Sequence, residues 1–587
     1  MSLDKHQFLI LRTQLDGSKR TQRELAAECG ISVGSVNKAV KSCTQKAWLT
    51  KEGTITDKGK QAMEPYAVRS AVILAAGAAT RMAPLSFEKP KGLFEVQGEV
   101  LIERLIRQMQ EAGIEDITVV VGCMKESFFY LADVYGVRIL NSSDYAERNN
   151  HSSLLQAKKY ISSSYICASD QYIPNNPFHK YMYASTMPVY QSKPQSTVRA
   201  VTWDAKGKIT GVEHTAGWYP RGPVYLTAND SEKLLSVIQD EFDFLETRSK
   251  LWDTILLEHA QELEVNVKQY MPGEIYEFDQ LQDLVAFDND FLVNVDSAIL
   301  DNICNTLNAQ RQEITDVEPL KAGLTNLSVL FSCKGKRYVY RHPGNGTDEI
   351  INRHAETFAL NVAKRLGLDE TYLYENPDEG WKISVYMDGC TDFDYRNSEH
   401  VKKALRLAKR LHGSGVEGPW TFDFFQEGLN IIELLKGLSY PLPPDFDELL
   451  AAVTSLNIAM QQDIGKPCLC HNDFYAPNFL VKGDDMWLID WEYAAMGDWA
   501  CDIGNFVAQG SGYSVEEATA ALEHYFGRPA TVQETRHCIG AVGVVGFYWY
   551  VWAMYKEAMG NPVGEWLYTW YKAAKCFTAA ARKLYEQ

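Results

Sequence analysis

His471, Asn472, Asp473 and Asn478 fall close together in "CLCHNDFYAPNFLVKGDDMWLID", and Asp490 ends that stretch twelve residues after Asn478. Polar groups set among apolar strand residues are costly to bury unless they are paired or do chemistry. In the order H-x-D-x4-N and then Asp, these types suit phosphoryl transfer to an alcohol. Asp473 orients the hydroxyl and takes its proton, Asn478 and Asp490 hold Mg²⁺ between ATP phosphates, and His471 braces the loop. The nucleotide side is expected upstream, where "GLTNLSVLFSCKGKRYVYRHPGNG" reads as a hairpin. Its loop residues Gly323, Thr325 and Asn326 lie over phosphates, and Arg341 supplies a fixed cation on the second strand. Glu356, fifteen residues further on in a helical pattern, suits the carboxylate that pairs with that cation; the other reading is an exposed helix glutamate.

A second group opens earlier, in "AVILAAGAATRMAPLSFEKPKGLFEV". An apolar strand runs into the small residues Ala75, Ala76 and Gly77, which let backbone N–H groups approach a triphosphate. Arg81 and Lys91 follow as the cations that offset phosphate charge. A third feature is "GFYWYVWAMY", where Trp549 and Trp552 are three apart and share one helix face. Such a stripe is either core or a box for a cation with no N–H to donate.

These groups need a large frame. At 587 residues the chain exceeds what one hydrophobic core serves, and its 46% hydrophobic and 23% charged residues are ordinary globular composition. Its apolar runs look too short and broken for a membrane span, and "MSLDKHQFLI" lacks the marks of a signal peptide. Twelve cysteines show neither CxxC pairs nor zinc-finger spacing. Free thiols suit a reducing compartment, so a cytoplasmic protein is expected. The net charge of −18 argues against a chain devoted to nucleic acid, yet it is uneven: residues 1–65 carry +4 and the remainder −22.

The basic segment, 1–66, has two helical patterns around a tight turn, then a short hairpin wing and a helix. It resembles a winged helix-turn-helix domain with Ser32 to Cys43 in the recognition position. Lys38 and Lys41 would face DNA phosphates, and Ser35 and Asn37 would reach base edges; otherwise the module docks on its neighbour or mediates dimerisation. Residues 68–292 alternate strands and helices, an α/β order with a mainly parallel sheet.

The loop motif of this second segment resembles the sugar-phosphate nucleotidyltransferases, with Ala79 where a glycine is common and Ser86 for threonine. Within that superfamily, "YGVRILNSSDYAERNNHSSLL", "LWDTILLEH" and "IYEFDQLQDL" are similar to CTP:phosphocholine cytidylyltransferases. The resemblance implies Mg²⁺ on Asp170 and Asp279, with the frequent accessory acid two before Asp170 replaced by Ala168. It also implies a phosphocholine pocket at Trp252 and Asp253.

Residues 295–587 resemble bacterial choline kinases through "GLTN", "YVYRHPGNGTDEIINRHAE", "CHNDFYAPNFL" and "IDWEYAAMGDWACDIGNF". In that family a W-x-x-W pair walls the choline site, which Trp549 and Trp552 match in spacing, with Glu492 and Tyr493 as further pocket members. The expected fold is therefore multidomain α/β and α+β: winged helix, Rossmann-like nucleotidyltransferase, then a protein-kinase-like domain of the choline kinase and aminoglycoside phosphotransferase type. The resemblances imply two consecutive steps from choline, ATP and CTP through phosphocholine to CDP-choline, for decoration of bacterial surface glycans. The alternatives are ethanolamine or another amino alcohol, an aminoglycoside-type kinase fused to a sugar nucleotidyltransferase, and a choline-responsive regulator built from enzyme-derived sensor domains.

Overall fold

The computed structural model describes residues 2–192, 200–213, 217–320, 326–344 and 351–587. The chain divides into two compact units, Met1–Leu300 and Asp301–Gln587.

The first unit begins with the winged-helix module. Thr21 caps the helix Gln22–Cys29, which stops at Gly30 in a left-handed conformation (φ +63°). Ser32 caps the recognition helix Val33–Gln45. The wing reduces to a single bridge, Leu49 to Ile55, before the helix Asp57–Met63. One side of the module docks on the following domain. Met182 N–H donates to Tyr66 O, Val68 N–H to Lys180 O, and the rings of Tyr66 and Tyr183 stack at 5.6 Å. Asn37, Lys38 and Lys41 stay exposed on the other side and Ser35 is half-buried.

The main sheet of this unit is centred on Ser70–Ala75, which pairs in parallel with Ile117–Val121 on one side and Ser164–Ala168 on the other. Arg138–Asn141 extends the parallel half, whereas Val224–Leu226, Thr186–Ser192 and Gly217–Pro220 make an antiparallel wing. The strand Asn266–Tyr270 runs parallel to Thr186–Ser192, so the sheet is mixed with most of its pairings parallel. Strand order reverses beside Ser70–Ala75, and the carboxyl ends of two diverging neighbours open a crevice there. The all-buried pattern of Ser70–Ala75 follows from helices covering both faces.

The second unit has a five-stranded antiparallel sheet in the order Ile314–Leu320, Asn326–Cys333, Lys336–Pro343, Lys382–Val385, Tyr372–Glu375. The helix Arg353–Arg365 follows the hairpin, and a mainly helical half holds the catalytic-loop motif. Its core is the helix Val532–Ala558, crossed closely by Trp566–Glu586: a Cβ at Gly546 would stand 2.8 Å from the backbone nitrogen of Ala574. Val532–Ala558 is long and apolar enough, by length and composition, to cross a membrane, but 94% of its most apolar window is buried inside the fold. Its apolarity is that of a helix covered on every side by protein.

Candidate functional sites

In the first unit the backbone leaves Ser70–Ala75 and turns through Ala79, a non-glycine residue in the left-handed region (φ +49°). A cleft of about 320 Å³ opens below this loop. It brings together Ala75, Ala76, Gly77, Lys91, Asp170, Asp279, Trp252 and Asp253, as expected, and adds Tyr145, Arg148, Arg221 and Glu277. Arg81 lies exposed on the short turn Thr80–Met82 and is not among the lining residues.

Lys91 forms an ion pair with Asp170, and its ammonium also donates to Phe278 O at 3.2 Å. Burial works against the Lys91 charge, but Asp170, Asp279 and Glu277 hold its pKa above the usual lysine range. Asp170, Glu277 and Asp279 bring one oxygen each within 4.8 Å of one another. Glu277 and Asp279 come from one extended stretch, two residues apart, so both face the cleft. Burial and the neighbouring carboxylate of Asp170 push Glu277 up to about 8. Asp170 is buried, and its Oδ1 has no partner among the described residues. A buried carboxylate oxygen facing two more acids fits a hard divalent cation. Trp252 is buried at the wall of the cleft, with its backbone N–H donating to Asn150 Oδ1 at 2.9 Å, while the burial of Asp253 raises its pKa.

In the second unit Arg341 and Glu356 pair as their spacing predicts, at 2.6 and 2.7 Å through both guanidinium nitrogens. Glu356 is fully buried, so the exposed-helix reading fails. The pair belongs to a larger cluster missed in the sequence. Arg341 also donates to Glu375 at 2.8 Å, and Lys382 and Arg353 each reach Glu356 at 2.9 Å. Burial alone would raise the Glu356 pKa, but the three cations around it hold it well below the usual range. Asp490 approaches Arg341 at 3.7 Å. Gly323 and Thr325 lie outside the described residues; Asn326 starts the strand that pairs with Pro343.

The catalytic-loop motif follows the strand Cys468–Cys470. Asp502, fully buried, accepts the backbone N–H groups of His471 (2.9 Å) and Asn472 (2.7 Å) and fixes the turn, in which Asn472 has φ +62°. His471 Nδ1 accepts the Asp473 N–H and its Nε2 bonds to Ile489 O at 3.0 Å, so the imidazole spans the loop and the Asp490 strand end. Asn478 Nδ2 donates to Asp473 Oδ2 at 3.0 Å, and Gln509 Nε2 to Oδ1 at 2.8 Å. Burial and the nearby Asp490 push Asp473 up to about 7.

Trp549 and Trp552 do share a face, with rings 5.4 Å apart and edge-on. They join Tyr493 and Trp570 in one aromatic cluster, at 5.6 Å from Trp549 in each case. Both indoles are buried, and Trp549 N–H donates to Asn505 Oδ1 at 2.8 Å. The structure itself sets an ammonium on this surface: Lys556 Nζ lies 5.2 Å from the Trp552 ring centre. Glu492 is buried near Arg353, at 3.9 Å.

Among known families, a MobA-like NTP transferase domain matches residues 71–219, a phosphotransferase enzyme family residues 316–536, and a wHTH-PRTase associated domain residues 9–73. A choline-phosphate cytidylyltransferase of Streptococcus pneumoniae is 35% identical over 215 residues, which is 36% of this chain and 94% of that protein. A 2-aminoethylphosphonate cytidylyltransferase of Lancefieldella rimae is 31% identical, covering 38% and 93%. Protein LicA of Haemophilus influenzae is 26% identical over 254 residues, covering 41% of this chain and 94% of its own. The chain therefore belongs, through its middle segment, to the cytidylyltransferases of the nucleotidyltransferase family, and it carries a second enzyme domain of the phosphotransferase family after it.

Proposed function

We propose that the chain phosphorylates choline with ATP, then transfers CMP from CTP to the phosphocholine and releases pyrophosphate. The observation that carries this reading is the aromatic cluster of Tyr493, Trp549 and Trp552, tied by hydrogen bonds to the carboxylate of Asp473. A quaternary ammonium offers no N–H, so ring faces and a buried carboxylate such as Glu492 are what can hold it, each ring contributing roughly 0.5–2 kcal/mol.

In the second unit Asp473 takes the alcohol proton while Gln509 and Asn478 hold its carboxylate in place. Arg341, locked by Glu356 and Glu375, meets ATP phosphate charge. Asn478 and Asp490 are the residues that would hold Mg²⁺, which supplies charge neutralisation on the phosphates. In the first unit Lys91 and the loop Ala75–Ala76–Gly77 receive the triphosphate of CTP. Asp170, Asp279 and Glu277 would hold the second Mg²⁺, and Trp252 with Asp253 the phosphocholine. The similarity to a phosphonate cytidylyltransferase leaves an amino-phosphonate as the rival acceptor, but a phosphonate needs no prior phosphorylation and would leave the kinase without a role.

The exposed side of the winged helix, with Lys38, Lys41, Asn37 and Ser35, is the face we assign to DNA. Its partial engagement in the docked module, where Asn37 bonds Gln22 at 3.2 Å, implies side-chain rearrangement on contact. The test of the main reading is product analysis by mass spectrometry with choline, ATP, CTP and Mg²⁺, omitting each nucleotide in turn. CDP-choline only with both nucleotides, and phosphocholine without CTP, is expected; products from aminoethylphosphonate and not from choline would refute it.

A further inference from the structure

Directly before the catalytic loop, Cys468 and Cys470 are two apart on one strand, so both thiols leave the same face, opposite the buried Leu469. Their Sγ atoms are 3.9 Å apart. His412, at the end of the helix Ser398–His412, brings a ring nitrogen to them, and the three ligand atoms all lie within 4.8 Å of one another. Neither active site described above uses these groups.

The spacing discriminates between two thiol chemistries. A tetrahedral zinc ion with Zn–S bonds of about 2.3 Å separates two sulfurs by about 3.8 Å, close to what is found. A disulfide requires about 2.05 Å, far shorter than the distance between these two thiols. The surroundings of His412 point the same way. Its Nε2 is bonded to Asp502 Oδ2 at 2.8 Å and its Nδ1 to the Tyr525 hydroxyl at 2.9 Å. Metal-bound histidines pass their second N–H to a carboxylate in this manner, which fixes the ring for coordination.

We propose that Cys468, Cys470 and His412 form a site for a thiophilic d¹⁰ cation, Zn²⁺ in the first place, that regulates the phosphotransferase. Nδ1 of His412 takes the ion in place of the Tyr525 hydroxyl, Nε2–H keeps its bond to Asp502, and water fills the fourth position from the half-buried side of Cys468. The two thiol protons are displaced to solvent and no electrons are transferred. Asp502 is the coupling element, because the same carboxylate that accepts from His412 also holds the backbone N–H groups of His471 and Asn472. Drawing His412 onto an ion shifts that carboxylate and with it the loop carrying Asp473.

Only the effect on rate rests on the kinase reading; binding is read without substrate. The full-length protein, stripped with a chelator, is titrated with Cd²⁺ and followed by thiolate-to-cadmium charge-transfer absorption. One equivalent should saturate the band, Cys468→Ala and Cys470→Ala should each remove it, and Zn²⁺ should compete for it. With Zn²⁺ bound, choline phosphorylation should fall at least fivefold while cytidylyl transfer from added phosphocholine is unchanged, and Cys468→Ala should keep its zinc-free rate and lose the inhibition. An absent band, or one that survives both cysteine substitutions, overturns the site; a filled site with an unchanged phosphorylation rate overturns the regulation.

Discussion

The carboxylate of Asp473 and the indole of Trp549 are joined by two amide side chains: Trp549 N–H donates to Asn505, Gln509 donates to the same Asn505 oxygen, and Gln509 also donates to Asp473. The group that takes the proton and the ring assigned to the cation are therefore positioned by one relay. Gln509 favours the ionised carboxylate, while burial and Asp490 oppose it and set the value to about 7. A base must be deprotonated to act, so kcat/KM for choline should fall about tenfold per pH unit below that value. Gln509→Leu removes a bond to the ionised form, so the same profile should move to higher pH. A profile that is flat from pH 5 to 8 contradicts the assignment of Asp473 as base.

Glu356 is the hub of three buried cations, Arg341, Arg353 and Lys382. Removing one member of a buried ionic cluster leaves uncompensated charge, worth about 3–5 kcal/mol. Glu356→Ala should destabilise the second unit by that amount in denaturant unfolding and abolish phosphorylation. Arg341→Lys should fold, because one ammonium keeps the charge, but it cannot bridge Glu356 and Glu375 together and should raise KM for ATP.

Glu277 is expected to share the cation with Asp170 and Asp279. Glu277→Gln should shift the Mg²⁺ requirement of cytidylyl transfer upward by about 10–100-fold, leaving phosphorylation by the other unit untouched. An unchanged Mg²⁺ curve would remove Glu277 from the site.

Ala79 carries a Cβ in a left-handed conformation that costs L-residues roughly 1–2 kcal/mol. Ala79→Gly relieves this and pays some of it back in unfolded-chain entropy. The first unit should gain about 0.5–1 kcal/mol in denaturant unfolding, and a loss would mean that the loop needs the methyl group.

Much of both sites was readable because their residues occupy short windows at strand ends. The Asp473 loop and the Ala75–Lys91 loop each place several polar or small residues within one turn of chain. The pairing of Arg341 with Glu356 was legible from fifteen-residue spacing across a hairpin and a helix. Residues that arrive from distant segments were missed. Lys382 and Glu375 sit on strands with no motif of their own; Asp502 falls inside "IDWEYAAMGDWACDIGNF" with nothing in its spacing to mark it, and Gln509 caps the helix Ala500–Ala508 just beyond that stretch. Glu277 did leave a signal, since two acids at positions 277 and 279 of an extended segment share a face. Val532–Ala558 reads as broken because Glu534 and Arg536 at one end and Lys556 and Glu557 at the other flank its long apolar middle.

The central claim, two sites acting in sequence on one small cation, is tested most directly by silencing them one at a time. Asp473→Asn and Asp170→Asn proteins would each receive choline, ATP, CTP and Mg²⁺, with products resolved by mass spectrometry. Asp473→Asn should make neither product from choline yet convert added phosphocholine to CDP-choline, while Asp170→Asn should accumulate phosphocholine and stop. CDP-choline formed from choline by either variant, or phosphocholine refused by the Asp473→Asn protein, would contradict it.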